Sequence, residues 1–281
     1  MEHRKLDLFG KMLFETSILK PPYKLTNQMH DEACFLYLIE GEYHSISEVE
    51  KLEIKAEESV LLRCGNYVGL VPNSRNSDRY QAVAVHFYPD ILLKIYDNRL
   101  PSFLKSKEEV IIGMTKLKSD ILIKKYIDSI LFYFDNPHLV DEEILILKLK
   151  EIILLLNKTK NAPAIQSILK NLFNPLSYSF REVVESNFFT NITLEELAQL
   201  TNMSLSTFKR EFKKIYKAAP ASYFRDRKLE KSLELLSSTD LRATDIAYEC
   251  GFTNISHFSR TFKEVYGISP MQYKQNITTS Y

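Results

Sequence analysis

The period of the hydrophobic positions changes near Pro89. Upstream, short apolar runs alternate with turn residues. Ala33 to Ile39 ends at Glu40-Gly41, Leu52-Glu53-Ile54 alternates, Ser59 to Leu62 is brief, and Ala82 to Phe87 closes the set. Gly41, Gly65, Gly69 and the cluster Pro72-Asn73-Ser74 punctuate these runs at strand spacing. The pattern predicts a small antiparallel β-barrel or sandwich over about residues 30–88.

Downstream the period is that of a helix. A short helix is expected from Asp90 to Tyr96. Ser119-Asp120 opens a longer one, with Ile123, Ile127, Ile130 and Phe134 spaced four, three, four, and Asn136-Pro137 stops it. Asp141-Glu142-Glu143 starts another, acidic where the helix dipole is positive. It carries Leu145, Leu149, Ile152 and Leu156 at the same spacing. Both seams are heptad-like and fit either packing onto the barrel or a dimer interface. Two wide apolar helices exceed what a small barrel needs, which favours the interface. Asn157 to Pro163 is polar and linker-like, while Ala164 to Phe173 reads as helical. The boundary falls at Asn174-Pro175-Leu176-Ser177, giving a first domain over 1–173 (helices about 90–173) and a second, all-α domain over 174–281.

That second domain repeats itself. Thr193-Leu194-Glu195-Glu196 forms a capping box, and the helix it opens ends at Asn202, where a left-handed residue is required. Ser204 caps a helix through Phe208, Phe212 and Tyr216. Ala198, Asn202 and Met203 correspond to Ala247, Gly251 and Phe252, 49 residues later. From the next helix the offset is 50: Phe208, Arg210, Phe212, Lys213, Tyr216, Pro220 and Tyr223 match Phe258, Arg260, Phe262, Lys263, Tyr266, Pro270 and Tyr273. The one-residue change falls in the turn, where insertions are tolerated. Two helix-turn-helix units follow, over about 193–216 and 243–266, joined by a spacer helix from Ala221 to Leu236. That helix turns Phe224, Lys228, Leu229, Ser232, Leu235 and Leu236 inward. Reading one face of B-DNA needs two such helices about 34 Å apart.

Composition narrows the classes. With 37 basic and 36 acidic residues the chain has no global nucleic-acid signature, but a footprint on DNA is local. Cys34, Cys64 and Cys250, odd in number and far apart, argue against a disulfide framework or zinc cluster and for a reducing cytoplasm. Met1 to Asp7 lacks the apolar core of a signal peptide, and no apolar run is long enough for a membrane span. His30, Glu32, His44 and His86 are possible ligands. Without a His-x-His pair, or a spacing that puts three on adjacent strands, they predict no metal site, and no cofactor is expected. Tyr37, Tyr43, Arg63 and His86 are weak suggestions for a small-molecule site.

Residues 178–275 resemble the DNA-binding domain of AraC/XylS-type transcription regulators. The resemblance is carried by Leu197-Ala198, Ser204, Phe212-Lys213, Arg227-Lys228-Leu229, Ile246 to Phe252, Ser256 to Lys263 and Gly267 to Tyr273. Asn202 and Lys217 stand where the family often has Gly, and Ser232 where it usually has Ala. Residues 30–105 more weakly resemble the sensor domain of regulators related to the activator of type III secretion. The carriers are Phe35 to Gly41, Leu62 to Tyr67 and Val85 to Pro89. The resemblance implies a cupin-like barrel with dimerisation helices, an activator that engages RNA polymerase, a homodimer, and control by a small-molecule effector or a regulatory protein. Overall the fold expected is α+β. An architectural DNA protein would not need the barrel. A DNA-repair enzyme would need a reactive, exposed cysteine, which Cys250, beside Gly251, does not promise.

On the first recognition helix Ser206, Thr207, Lys209 and Arg210 face outward, with Lys213 and Lys214 further along. On the second the equivalents are Ile255, Ser256, His257, Ser259 and Arg260, followed by Lys263. The planar fork of Arg210 matches guanine O6 and N7, and Ile255 suits a thymine methyl. Arg260 either contacts DNA or pairs an acid in the fold. Lys263 fits a backbone contact. From Lys209 to Lys217 five bases (Lys209, Arg210, Lys213, Lys214, Lys217) face one acid (Glu211), net +4. From Ile255 to Gly267, Arg260 and Lys263 face Glu264, net +1. The first unit is therefore expected to grip phosphates more strongly.

Overall fold

Residues 2–29, 31–73, 78–104, 112–118, 120–173 and 178–278 are described by a computed structural model. His30, Ser74, Ser119 and the boundary segment 174–177 lie outside them. The chain forms two compact units, residues 1–178 and 179–281.

The first unit contains ten strands: β1 (Glu2–Leu8), β2 (Lys11–Leu19), β3 (Tyr23–Met29), β4 (Ala33–Glu40), β5 (Glu42–Ile46), β6 (Lys51–Lys55), β7 (Ser59–Leu62), β8 (Gly65–Val71), β9 (Tyr80–Phe87) and β10 (Met114–Leu117). They make two antiparallel sheets that share a core, the sandwich of the two expected alternatives, and do not close into a barrel. The larger has the order β1-β2-β9-β4-β7-β10 and the smaller β3-β8-β5-β6. Strands thus begin at Glu2, well before the expected residue 30. Edge strands β1 and β3 are polar and largely exposed, so they lack the apolar alternation that marks a strand facing a core. Gly65 and Gly69 lie within β8 instead of separating strands.

Alternation on the central strands sorts side chains to two cores. Phe35, Tyr37, Leu61, Val83, Val85 and Phe87 join one cluster with the helices. Cys34, Leu38, Val60, Leu62, Tyr80, Ala82 and Ala84 join another with the smaller sheet. Being buried on both faces is what made these strands read as continuous apolar runs. The order of layers is smaller sheet, larger sheet, helices.

The helical layer comprises α1 (Pro89–Ile95), α2 (Ile121–Asp135), α3 (Glu142–Leu156) and α4 (Ala162–Asn171). Asp120 caps α2 by accepting from the Leu122 N–H at 2.8 Å, and Asp141 caps α3 by accepting from Ile144 at 2.8 Å. Ile123, Ile127, Ile130 and Phe134 on α2, and Leu145, Leu149, Ile152 and Leu156 on α3, are all buried in the unit's own core. They cannot form the dimer interface expected of them. The larger sheet has a second apolar face to cover, and burying each aliphatic side chain there contributes roughly 1.5–3 kcal/mol.

Candidate nucleic-acid interface

The second unit contains α5 (Phe180–Ser186), α6 (Leu194–Leu200), α7 (Leu205–Tyr216), α8 (Pro220–Ser238), α9 (Ala243–Glu249), α10 (Ile255–Tyr266) and α11 (Pro270–Thr278). Helix α6 opens with the capping box: Thr193 N–H donates to Glu196 at 2.7 Å and Glu196 N–H to Thr193 Oγ1 at 3.2 Å. At its end Asn202 is left-handed, with φ of 54°. The chain turns there through Asn202 N–H to the Gln199 carbonyl (2.8 Å) and Met203 N–H to the Ala198 carbonyl (2.9 Å). The turn after α9 copies it: Gly251 has φ of 75°, and its N–H and that of Phe252 donate to Tyr248 and Ala247, each at 2.9 Å.

Both recognition helices are capped by a polar side chain. Ser204 accepts from the Thr207 N–H at 3.3 Å and Asn254 from the His257 N–H at 3.0 Å. The aromatic cores repeat as well. Ring centroids of Phe208 and Phe212 are 5.8 Å apart and those of Phe258 and Phe262 5.7 Å, with all four rings fully buried. Phe212 lies 4.4 Å from Tyr216 and 5.6 Å from Tyr223; Phe262 lies 4.6 Å from Tyr266 and 6.0 Å from Tyr273. A recognition helix anchored on two buried rings presents the rest of its circumference to solvent.

Helix α8 holds the two halves. Near its start Tyr223 and Phe224 pack on Phe212. Further along, Leu229 and Leu236 enter the core with Ile246, Phe258 and Phe262. Lys228, half-buried, donates to the Gly251 carbonyl at 2.7 Å, and its burial lowers its pKa. Ser232 is buried, its hydroxyl donating to the Leu229 carbonyl at 2.7 Å, so the departure from Ala leaves no unsatisfied group.

On the outer faces Ser206, Lys209, Arg210, Lys213 and Lys214 are exposed on α7, with Thr207 half-buried. On α10 Ser256, His257, Arg260 and Lys263 are exposed, and Ile255 and Ser259 half-buried. Among the described residues Lys209, Arg210, Lys213, Lys217, Arg260 and Lys263 have no acidic partner, while Lys214 pairs with Glu211 at 3.2 Å. Arg260 therefore does not serve the fold through an acid. Lys217, at the left-handed end of α7, adds a fifth exposed cation to the four on that helix's outer face. Cys250 is fully buried, and burial pushes its thiol up to about 11, so it is no nucleophile.

In the first unit the suggested small-molecule residues separate. Tyr43 and His86 line a cavity between the sheets, whereas Tyr37 faces the helical layer. Arg63 is buried 3.9 Å from Glu48. Glu15 and Glu32, which also line the cavity, come from separate strands and loops, and Glu15 carried no signal in the sequence. His44 lies with Glu42 and Glu53 on β5 and β6, one ligand atom of each within 4.8 Å of the others. The cross-strand register that pairs His44 with Glu53 could not be seen in the spacing. His44 already hydrogen-bonds Glu42 at 3.0 Å, and Glu53 is exposed.

Residues 197–276 match the family model of a helix-turn-helix domain, and residues 33–168 that of the ExsA N-terminal regulatory domain. The chain is similar to the HTH-type transcriptional regulator ExsA of Pseudomonas aeruginosa, 26% identical over 129 residues, 46% of either chain. It is similar also to the HTH-type transcriptional activator RhaS of Escherichia coli, 30% identical over 141 residues, 50% of this chain and 48% of that one. The aligned parts thus span about half the length of these relatives. Among solved structures, ToxT from Vibrio cholerae with bound unsaturated fatty acid aligns over 93% of this chain and 95% of its own, at 15% identity and a TM-score of 0.38. No helix among the described residues is long and apolar enough to cross a membrane. With both domain models matched in order along one sequence, the chain belongs to the AraC/XylS family of transcription regulators, which are not enzymes.

Proposed function

We propose that the protein is a sequence-specific DNA-binding transcription activator that reads two successive major grooves with α7 and α10. The observation that carries this is the repeated geometry: two helices with the same cap, turn and aromatic anchors, each presenting an unpaired arginine at the equivalent position, Arg210 and Arg260. Ser206, Thr207, Lys209 and Arg210, then Ile255, Ser256, His257, Ser259 and Arg260, supply the base-reading side chains. Lys213, Lys214 and Lys263 hold phosphates. Activation entails contact with RNA polymerase in the cytoplasm, and the N-terminal unit receives the controlling signal.

Selection of bound duplexes from a random pool by the full chain tests this. Two conserved blocks about one helical turn apart are expected. Enrichment of no motif would sink the proposal.

Dimerisation, if it uses the helical layer, uses its outer side. Ile121 and Phe132 lie three turns apart on one face of α2, and Leu147 and Leu154 two turns apart on α3. These four are exposed by 66, 53, 61 and 51%, which leaves large apolar side chains on the solvent side of both helices. Light scattering on a Leu147→Glu, Leu154→Glu double variant is expected to show monomers. A dimer unchanged in mass would place the interface elsewhere.

A further inference from the structure

We propose that the cavity between the two sheets binds a small organic cation, an amine carried on a compact apolar body. The inference rests on the reading that the N-terminal unit receives a signal, and it names the chemistry of that signal.

The cavity measures about 440 Å³, within the ordinary range of small-molecule sites. Its space comes from small side chains on β9 and β2. Ala82 and Ala84 sit between Tyr80 and His86 on the inward face, and Ala82 pairs across the strands with Ser17. Leu25, Met29 and the tilted ring pair Tyr43–Tyr80, 6.0 Å between centroids, supply an apolar wall.

One end is charged. His86, 5% exposed, lies between two carboxylates: its Nδ1 is 2.9 Å from Glu32 Oε2 and its Nε2 3.4 Å from Glu15 Oε1. Burial by itself would push the imidazole down, but the hydrogen bonds and charges of Glu15 and Glu32 raise it to about 9. Burial likewise pushes both carboxyls up, and the His86 bond and charge outweigh it, holding Glu15 and Glu32 below their ordinary value. Two carboxylates thus face one imidazolium. His3 reaches Glu15 Oε2 at 2.6 Å from the exposed strand β1, and Tyr88 hydrogen-bonds Glu32. Each carboxylate can accept roughly four hydrogen bonds, so acceptor capacity remains.

No lysine or arginine lines the cavity among the described residues. The imidazolium of His86 is already engaged by both Glu15 and Glu32, so a ligand carboxylate would meet two like charges with no free cation to offset them, at a high desolvation cost. An ammonium group meets the two acceptors it needs. Stability alone gives little reason for such a cluster, since apolar residues of similar volume hold a core as well or better.

The test is calorimetry on the full chain with three probes of matched body: 2-phenylethylamine, 2-phenylethanol and 3-phenylpropanoate. The amine is expected to bind about ten-fold tighter than the other two, the scale of one charge-assisted hydrogen bond. Glu32→Gln should remove that preference. Ala84→Leu, which fills the space and keeps both carboxylates, should abolish binding with the melting temperature little changed. Absence of amine binding, equal binding of the acid, or undiminished binding by Ala84→Leu would each overturn the proposal. Duplex selection on the same preparation separates the two readings. A chain that selects DNA but ignores the amine loses only the ligand site, and one that binds the amine but selects no DNA keeps the site and loses the regulator.

Discussion

In the first helix-turn-helix unit the left-handed turn residue is Asn202, and the helix after it ends on a left-handed Lys217; in the second the same places hold Gly251 and Gly267. The backbone does the same thing in both, with φ of 54° and 57° against 75° and 81°. What differs is the surroundings. A Cβ on Gly251 would lie 2.6 Å from the Phe189 carbonyl oxygen, so this turn is backed by rigid main chain. Nothing stands within 4 Å of a Cβ on Gly267, so at that helix end the requirement is conformational only. The first unit tolerates side chains at both places and gains a cation at one of them. Its outer face carries net +4 against +1. Repetition preserved the skeleton and let the charge drift to one side.

The comparison can be broken most sharply at the turns. Gly251→Ala combines a positive φ with a backbone clash and should cost about 2–4 kcal/mol in denaturant unfolding of the full chain. Asn202→Ala, already bearing a Cβ in that conformation, should cost only about 1 kcal/mol. Equal losses would show that the two turns are backed alike.

DNA binding comes next in size. Arg210→Ala and Arg260→Ala should each cost roughly 1–3 kcal/mol and relax the selected sequence at one position in their own block. Uniform weakening across sequences would instead make the arginine a phosphate contact.

Salt dependence tests the asymmetry of charge. Removing Lys213 and Lys214 together should lower the slope of log K against log salt by about 2, whereas Lys263→Ala lowers it by about 1. Matching slopes from the two units would contradict unequal grip.

The smallest effect is at Lys217. Lys217→Gly should stabilise the chain by about 0.5–1 kcal/mol, because glycine adopts this φ without strain. It should also weaken binding to any duplex slightly, and no loss of affinity would show that the Lys217 charge adds nothing to the grip on phosphates.

In the DNA-binding half nearly every local feature was legible. Capping residues, left-handed turn positions, paired aromatics and the spacer's inward face all act within a few residues of chain, and the repeat supplied the turn positions and the paired aromatics twice. The N-terminal half was harder for a physical reason. Strands β1 and β3 are polar edges, β8 contains two glycines, and the apolar runs of β4, β7 and β9 serve two cores at once. Heptad spacing on α2 and α3 showed correctly which face is buried but not what buries it. The covering surface is the far side of a sheet whose strands are dispersed over more than a hundred residues.

The sequence by itself determined the tandem helix-turn-helix, its family and the cations of α7 and α10, because local periodicity and capping chemistry act over one or two helical turns. Only the tertiary structure decided that the sheets stay open, that the α2 and α3 seams face inward, and that Glu15, Glu32 and His86 converge beside a cavity. Those outcomes depend on strand register and on which face of a sheet meets which layer, and neither is written in the spacing of residues along the chain.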